Sequence, residues 1–295
     1  MSRSASDLIV RLVRRALAEP RLEGIDVDRP DLIEVHREIL ATKPLTRRVF
    51  LELYRTCLDA DLRHLRGDGL RIEIGAGSSF LKTVSPGILT TDIKPSAGLD
   101  MVVDALRMPF AAQSVRAVFG IHVFHHLSDP DRFFRELTRV LRPGGGCVLI
   151  EPYHGWLARL FFRHVFETET FDSTQSHWAA TAEGPMRGAN QALSYIVFVR
   201  DAQKFVESYP ELEVVERRPL SNWPRYLLSG GLNFRSLAPG WSNSALRGAE
   251  AAMSPLARWL ALHHLIVIRR AAAPLPAMPS AAGTRAADAS TATWP

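Results

Sequence analysis

The sequence predicts a doubly wound α/β domain built on a mostly parallel sheet. Between Leu70 and Glu151, short apolar runs alternate with helical or turn segments, as in successive βαβ units. A helix at 131–141 is delimited by Pro130 before it and by Pro143 and three glycines after it. A glycine turn follows the first apolar run directly, at the position where such sheets present their ligand crevice.

The apolar runs of this region predict five strands, at 70–75, 88–92, 100–103, 115–121 and 146–151. A helix is predicted at 45–65, because helical spacing there follows Pro44, a residue suited to a first helical turn. Two more strand-like runs, 212–217 and 265–268, are separated by a segment containing glycines and prolines.

Length and composition indicate a globular chain with one sizeable core. The 295 residues are 46% hydrophobic, which suffices for a single domain with additions. Lys and Arg number 36 against 31 Asp and Glu, but the positive charges are scattered and do not alternate with aromatic residues. Nucleic acid is therefore not a predicted partner.

The cysteines predict neither a disulfide nor a metal site. Cys57 and Cys147 are far apart in sequence and have no Cys/His cluster beside them. The amino terminus lacks the pattern of a secretory signal, and no run of about 18 uncharged apolar residues occurs. We therefore predict no metal and a cytoplasmic location.

The two ends of the chain differ in character. Residues 1–19 have the pattern of an amphipathic basic helix, with Leu8, Ile9, Leu12, Val13, Ala16 and Leu17 on its apolar face. This helix can pack on its own domain, on a partner subunit or peripherally on a membrane. Residues 271–295 are rich in Ala, Pro, Ser and Thr, and this composition predicts a disordered tail.

The glycine turn indicates a nucleotide-containing cofactor. Gly75 and Gly77 allow a sharp turn and close ligand approach, and Asp92 ends the next apolar run, where a carboxylate can accept hydrogen bonds from ribose hydroxyls. A dinucleotide fingerprint would place its third glycine at position 80, which is Phe80, so NAD(P) fits poorly. Glu73 lies within an apolar strand, and its burial requires a hydrogen-bond or cationic partner.

Further motifs follow in order along the chain. They are Asp104-Ala105 with Leu-Arg-Met-Pro-Phe110, then Phe119-Gly-Ile-His-Val-Phe-His-His-Leu-Ser-Asp-Pro130, then Leu141-Arg-Pro-Gly-Gly-Gly146. With the glycine turn and Asp92, this run over residues 66–152 resembles the class I S-adenosylmethionine (SAM)-dependent methyltransferases of the type-11 family. The last motif is interpreted as a helix stop and turn without chemistry.

The resemblance implies a Rossmann-like methyltransferase fold with a seven-stranded sheet whose last strand pair, 212–217 and 264–269, is antiparallel. It implies a helical region at 1–66 and a SAM-binding domain at 67–270, with a cap insertion at about 218–262 over the acceptor pocket. The residue that departs from the family pattern is Ser79, where family members often carry a glycine.

The resemblance also implies the residues that bind SAM. Glu73, Gly75, Ala76 and Gly77 would lie around the methionine part. Asp92 would bind the ribose hydroxyls, and Ile93, Asp104 and Ala105 would surround the adenine. His122 would line the reacting end of the cofactor.

The candidate catalytic residues are His125 and His154, which follow the fourth and fifth predicted strands. Histidine suits proton removal near neutral pH; His126, Glu151 and Tyr153 are neighbouring candidates. The pattern at 156–164 predicts a helix with an aromatic face that carries Arg159 and Arg163, which suit an amphiphilic or anionic acceptor.

The sequence therefore predicts an enzyme that moves a methyl group from SAM to a small-molecule or lipid-like acceptor by in-line displacement. Two alternatives stay open at this point. One is a SAM-binding regulatory protein without catalysis, and the other is an NAD(P)-binding oxidoreductase.

Overall fold

The structure is a computed structural model that describes residues 12–29, 31–165, 169–179 and 188–272. Leu8 and Ile9 of the predicted amphipathic helix lie outside the described residues, as does the predicted tail from residue 273 onward. Residues 12–17 are helical, and Leu12 and Val13 of the predicted apolar face are exposed.

One seven-stranded sheet organises the chain. Its strands are β1 (Leu70–Glu73), β2 (Leu89–Asp92), β3 (Met101–Val102), β4 (Val115–Ile121), β5 (Leu141–Pro152), β6 (Leu212–Pro219) and β7 (His263–Arg270). The strand order is β3-β2-β1-β4-β5-β7-β6. Strands β1 to β5 are parallel, whereas β7 pairs antiparallel with both β5 and β6. The predicted doubly wound, mostly parallel seven-stranded sheet is confirmed.

Strand β5 begins earlier than the predicted 146–151. Leu141 already pairs with Val115, and the register shifts before Gly146 pairs with Ala117. A Cβ on Gly146 would lie 2.3 Å from the carbonyl oxygen of Ile268, so the close approach of β7 requires glycine there. The Arg-Pro-Gly-Gly-Gly run is therefore an irregular first part of the strand as well as the stop of the preceding helix.

Helices cover both faces of the sheet. They are α1 (Asp31–Thr42), α2 (Pro44–His64), α3 (Pro130–Val140), α4 (Trp156–Val165), α5 (Ala202–Ser208), α6 (Trp223–Ser229), α7 (Asn243–Met253) and α8 (Ala257–Leu260). A short turn at Leu193–Tyr195 continues as a π-helical turn at Ile196–Arg200, and five 3-10 turns lie at Pro20–Leu22, Phe80–Thr83, Phe124–His126, Gly240–Ser242 and Ser254–Leu256.

The helices pack on the sheet through two apolar cores, one on each face. On one face, α3 buries Phe133, Phe134 and Leu137 against the strands. On the other face, α2 buries Leu53 and Cys57 against β4, β5 and β7. None of the helices in the described part of the chain is long and apolar enough to cross a membrane.

Candidate functional site

A cavity of about 730 Å³ lies at the carboxyl ends of the central parallel strands. Four loops line it: 75–78 after β1, 92–94 after β2, 103–106 after β3 and the segment from 121 after β4. Because the carboxyl ends of parallel strands meet at one edge, these loops converge there. The cavity thus occupies the position where open α/β sheets bind ligands.

The turn after β1 keeps side chains out of this cavity. Gly75 and Gly77 have φ values of +59° and +48°. A Cβ on Gly75 would lie 2.4 Å from Val123 Cγ2, so this position requires glycine, whereas a Cβ on Gly77 would meet nothing within 4 Å. Ser79 adopts a left-handed φ of +56°, which explains why glycine would also suit this position.

Asp92 connects the end of β2 to the glycine turn. Its Oδ2 accepts a hydrogen bond of 2.8 Å from the Gly77 amide, and its Oδ1 accepts one of 2.9 Å from the Lys94 amide. The side chain is 8% exposed, and Asp92, Ile93 and Lys94 all line the cavity. Each carboxylate oxygen retains acceptor capacity for a ligand hydroxyl.

Asp104 and Ala105 follow β3 and line the same cavity. The Asp104 carboxylate accepts a hydrogen bond of 2.8 Å from the Leu106 amide, so it also stabilises the turn in which it lies. Because the side chain is exposed, its second oxygen is available to a ligand. The structure thus brings Asp92, Ile93, Asp104 and Ala105 together.

Glu73 lies at the end of β1 with 2% of its side chain exposed. Its hydrogen-bond partner is Tyr54 of α2, while Oε2 has no partner among the described residues. Burial raises the pKa of Glu73 to about 8, the Tyr54 hydrogen bond opposes this, and the Asp92 charge adds to it. Glu73 lies behind the cavity wall, whereas Tyr54 is part of that wall.

Glu73→Gln is expected to remove part of the pH dependence of folding. The folded-state pKa of about 8 exceeds the usual 4.5, so the folded state retains a proton that the unfolded state loses between these values. The resulting stabilisation is complete below the unfolded-state pKa of 4.5, and it is lost as the pH rises through the folded-state pKa of about 8. Relative to wild type, Glu73→Gln should gain at least about 1 kcal/mol of unfolding free energy between pH 5 and roughly 8.5.

Urea unfolding at both pH values measures this gain. The exposed Glu213 provides the control, since Glu213→Gln should show the same pH dependence as wild type. An unfolding free-energy difference for Glu73→Gln that is constant across the pH range would contradict the prediction.

His122 has a positive φ of +54° and lines the cavity after β4. Its amide donates a hydrogen bond of 2.9 Å to the Ile150 carbonyl, and its ring stacks on His263 with 4.5 Å between centroids. Burial lowers the pKa of His122 to about 4, so the ring is neutral at neutral pH. This neutral ring lines the same cavity as the glycine turn and the carboxylates of Asp92 and Asp104.

His125 is buried between the carboxylates of Glu151 and Glu169. Its Nδ1 is 2.5 Å from Glu151 Oε2, and its Nε2 is 3.5 Å from Glu169 Oε2. Burial alone would lower the pKa of His125, but the charges and hydrogen bonds of Glu151 and Glu169 raise it to about 10. At neutral pH the ring therefore already carries its proton, which argues against the predicted role as a proton acceptor in this state.

Comparison with known proteins finds a family match in the central part of the chain. Residues 85–149 match the model of a family described as "Methyltransferase domain". This part of the chain is therefore similar to a methyltransferase domain. The matched region includes Asp92, Asp104, His122 and His125, whereas the glycine turn lies before it.

The chain is also similar to individual proteins. A 50-residue segment is 36% identical to Methyltransferase GfsG of Streptomyces halstedii and covers 17% of this chain and 18% of that protein. The solved geranyl diphosphate C-methyltransferase of Streptomyces coelicolor A3(2) has 16% identity and a TM-score of 0.43, with 76% of this chain and 80% of that chain covered. The [4+2]-cyclase SpnF has 17% identity and a TM-score of 0.40, with 75% and 81% covered.

The second candidate catalytic residue, His154, lies apart from the cavity lining. Its ring stacks on Tyr195 with 3.7 Å between centroids, and Phe171 lies at 5.7 Å. Burial and the charges of Arg159 and Arg163 lower its pKa to about 4. Tyr153 also lies outside the lining, and its hydroxyl donates to the Arg258 carbonyl.

Several residues around the cavity were not predicted. Leu22, Ile25 and Val27 of the amino-terminal segment line it, together with His36 of α1. Glu169, Gln191 and Tyr226 complete the other side. On the side of the cavity formed by Glu169, Gln191 and Tyr226, the adjacent His125 and His126 were the residues that the sequence pointed to. The other residues of this side come from segments without a recognisable motif.

Proposed function

We propose that this chain is a SAM-dependent methyltransferase that acts on a small-molecule or lipid-like acceptor. The observation that carries the proposal is the convergence of Asp92 and Asp104 with a turn free of side chains in one cavity. An adenosine needs carboxylate acceptors for its hydroxyls and amine, and its attached chain needs close backbone approach. The family match over 85–149 supports the same function.

In this proposal, each part of the cavity contacts a different part of SAM. Asp92 accepts hydrogen bonds from the ribose hydroxyls, Ile93 and Ala105 contact the adenine, and Asp104 accepts a hydrogen bond from its amine. The methionine part lies along Gly75, Ala76 and Gly77, with Glu73 and Tyr54 behind them, and His122 contacts the reacting end.

SAM supplies an activated methyl group that moves in a single in-line displacement. The protein residues then have to align the acceptor with that methyl group and exclude water, and such alignment lowers the barrier by several kcal/mol. The apolar residues Leu22, Ile25 and Val27 line the cofactor side of the cavity and exclude water from it.

The helices between β6 and β7 support the proposed cap over the acceptor pocket. Tyr226 of α6 lines the cavity. Its neighbour Arg225, 2% exposed, pairs with Glu52 of α2 at 2.6 Å and with Glu250 of α7 at 2.6 Å. These ion pairs hold α6 between α2 and α7 and attach the proposed cap at 218–262 to the rest of the domain.

The outer surface near α4 supports a lipid-like or anionic acceptor. Phe162 of α4 lines the cavity, while Trp156 and Leu160 of the same helix are exposed. Exposed Arg159 and Arg163 lie on the same helix. Apolar area next to guanidinium groups suits an amphiphile or an anionic membrane surface. A peripheral contact of this kind, with a cytoplasmic location, is part of the proposal.

Two measurements on the full chain test the proposed function. Calorimetry with SAM and with NAD(P) should show binding of SAM only. Incubation with SAM labelled in its methyl group and separate lipid and metabolite extracts should then give a labelled product. SAM binding without any labelled product would favour the regulatory alternative, and binding of NAD(P) alone would overturn the proposal.

A further inference from the structure

A cluster of potential metal ligands lies on the acceptor side of the cavity. The ligand atoms of His125, His126 and Glu169 all lie within 4.8 Å of one another. Glu169 Oε2 is 3.5 Å from His125 Nε2, and Glu169 Oε1 is 3.9 Å from His126 Nε2. Metal–ligand bonds of about 2.0–2.2 Å separate neighbouring ligand atoms by roughly 3–3.5 Å, so small side-chain shifts suffice.

The orientation of His125 is set by Glu151, which is fully buried. Glu151 Oε1 accepts hydrogen bonds from the Val123 and Phe124 amides at 2.9 and 2.8 Å. Its Oε2 engages His125 Nδ1, so Nε2 points toward Glu169. In metal sites, a histidine that binds the metal through one ring nitrogen usually donates the other ring N–H to a carboxylate.

His126 has no strong hydrogen-bond partner for either ring nitrogen within the described ranges. Its Nδ1 is buried without a partner, and its Nε2 lies 3.9 Å from the nearest carboxylate oxygen, too far for a hydrogen bond. Burying an imidazole in this way has a cost that a ligand at the cluster would offset. Glu169 is itself positioned by Gln191, whose amide donates to its Oε2.

We propose that His125, His126 and Glu169 bind a divalent transition-metal ion such as Zn²⁺. Two imidazoles and one carboxylate suit zinc and its neighbours in the first transition row, whereas Mg²⁺ prefers oxygen ligands alone. All three side chains line the cavity, so the open coordination positions face the acceptor space. An acceptor oxygen bound there would be held by the ion. Metal binding releases the His125 proton to solvent.

This site does not depend on SAM binding, so Zn²⁺ alone is the probe. The full chain, freed of metal with a chelator, is titrated with Zn²⁺ and with Mg²⁺ by calorimetry. We expect one Zn²⁺ per chain and at least tenfold weaker binding of Mg²⁺. His126→Gln should weaken Zn²⁺ binding at least tenfold, while His164→Gln, at an exposed histidine of α4, should leave it unchanged.

Thermal melting of each variant shows that it is folded. Glu169→Gln provides a second ligand change with little difference in shape, and it should lower Zn²⁺ affinity in the same way as His126→Gln. The proposal is overturned if the wild type binds no stoichiometric Zn²⁺, or if folded His126→Gln and Glu169→Gln bind it as tightly as wild type.

Discussion

An Asp92→Ala variant is expected to bind SAM about 5- to 150-fold more weakly than wild type, a loss of about 1–3 kcal/mol. The buried carboxylate faces the cavity and also accepts the Gly77 amide, so its removal deletes ribose contacts and loosens the turn. Calorimetric titration with SAM measures the loss directly.

Asp100 provides a matched control for this substitution. Its carboxylate accepts hydrogen bonds of 2.9 Å from the Thr90 amide and hydroxyl, yet it lies outside the cavity lining. Asp100→Ala should therefore keep SAM affinity within about twofold of wild type, within the scatter expected away from a site. Equal losses in the two variants, or unchanged affinity in a folded Asp92→Ala, would remove Asp92 from the binding site.

Gly77→Ala is expected to lower SAM affinity by about 1–3 kcal/mol, because the added methyl group takes ligand space. Without ligand, the new Cβ meets no protein atom within 4 Å, and Gly77 lines the cavity. The left-handed φ of +48° adds a backbone strain of about 1 kcal/mol to the folded state.

Gly98→Ala separates these two effects. Gly98 has a φ of +81°, its Cβ would also meet nothing within 4 Å, and it lies outside the cavity lining. Both variants should therefore show a similar loss in urea unfolding, whereas only Gly77→Ala should lose SAM affinity. If Gly77→Ala bound SAM as tightly as Gly98→Ala, the ligand would not lie on the glycine turn.

The fold was predictable wherever the local pattern and the tertiary structure agree. Strand β4 is mostly apolar and buried along most of its length, so it appears as a short hydrophobic stretch. Strands β1 and β2 contain fewer apolar residues and are buried mainly toward their carboxyl ends. The Asp129 side chain caps helix α3, and Pro130 lies in its first turn. The prolines and glycines that flank the helix predicted both of its ends to within one residue. The early start of β5 was missed, because it depends on a register shift against β4.

The candidate site was predictable only on its cofactor side. Gly75, Asp92 and Asp104 lie at strand ends, and strand ends can be identified from hydrophobic patterning. Glu169 was missed because no recognisable motif contains it and its contact with His125 forms only on folding. The prediction of no metal rested on the spacing of Cys and His along the chain, whereas the ligand set that we propose comes from segments distant in sequence.

A crystal structure of the chain with S-adenosylhomocysteine tests the proposed cofactor site most directly. We expect the ribose hydroxyls within hydrogen-bonding distance of the Asp92 carboxylate, the adenine amine next to Asp104, and the amino-acid end along 75–77. A nucleoside bound at any other place on the protein, or lying in the cavity without contact to either aspartate, would contradict it.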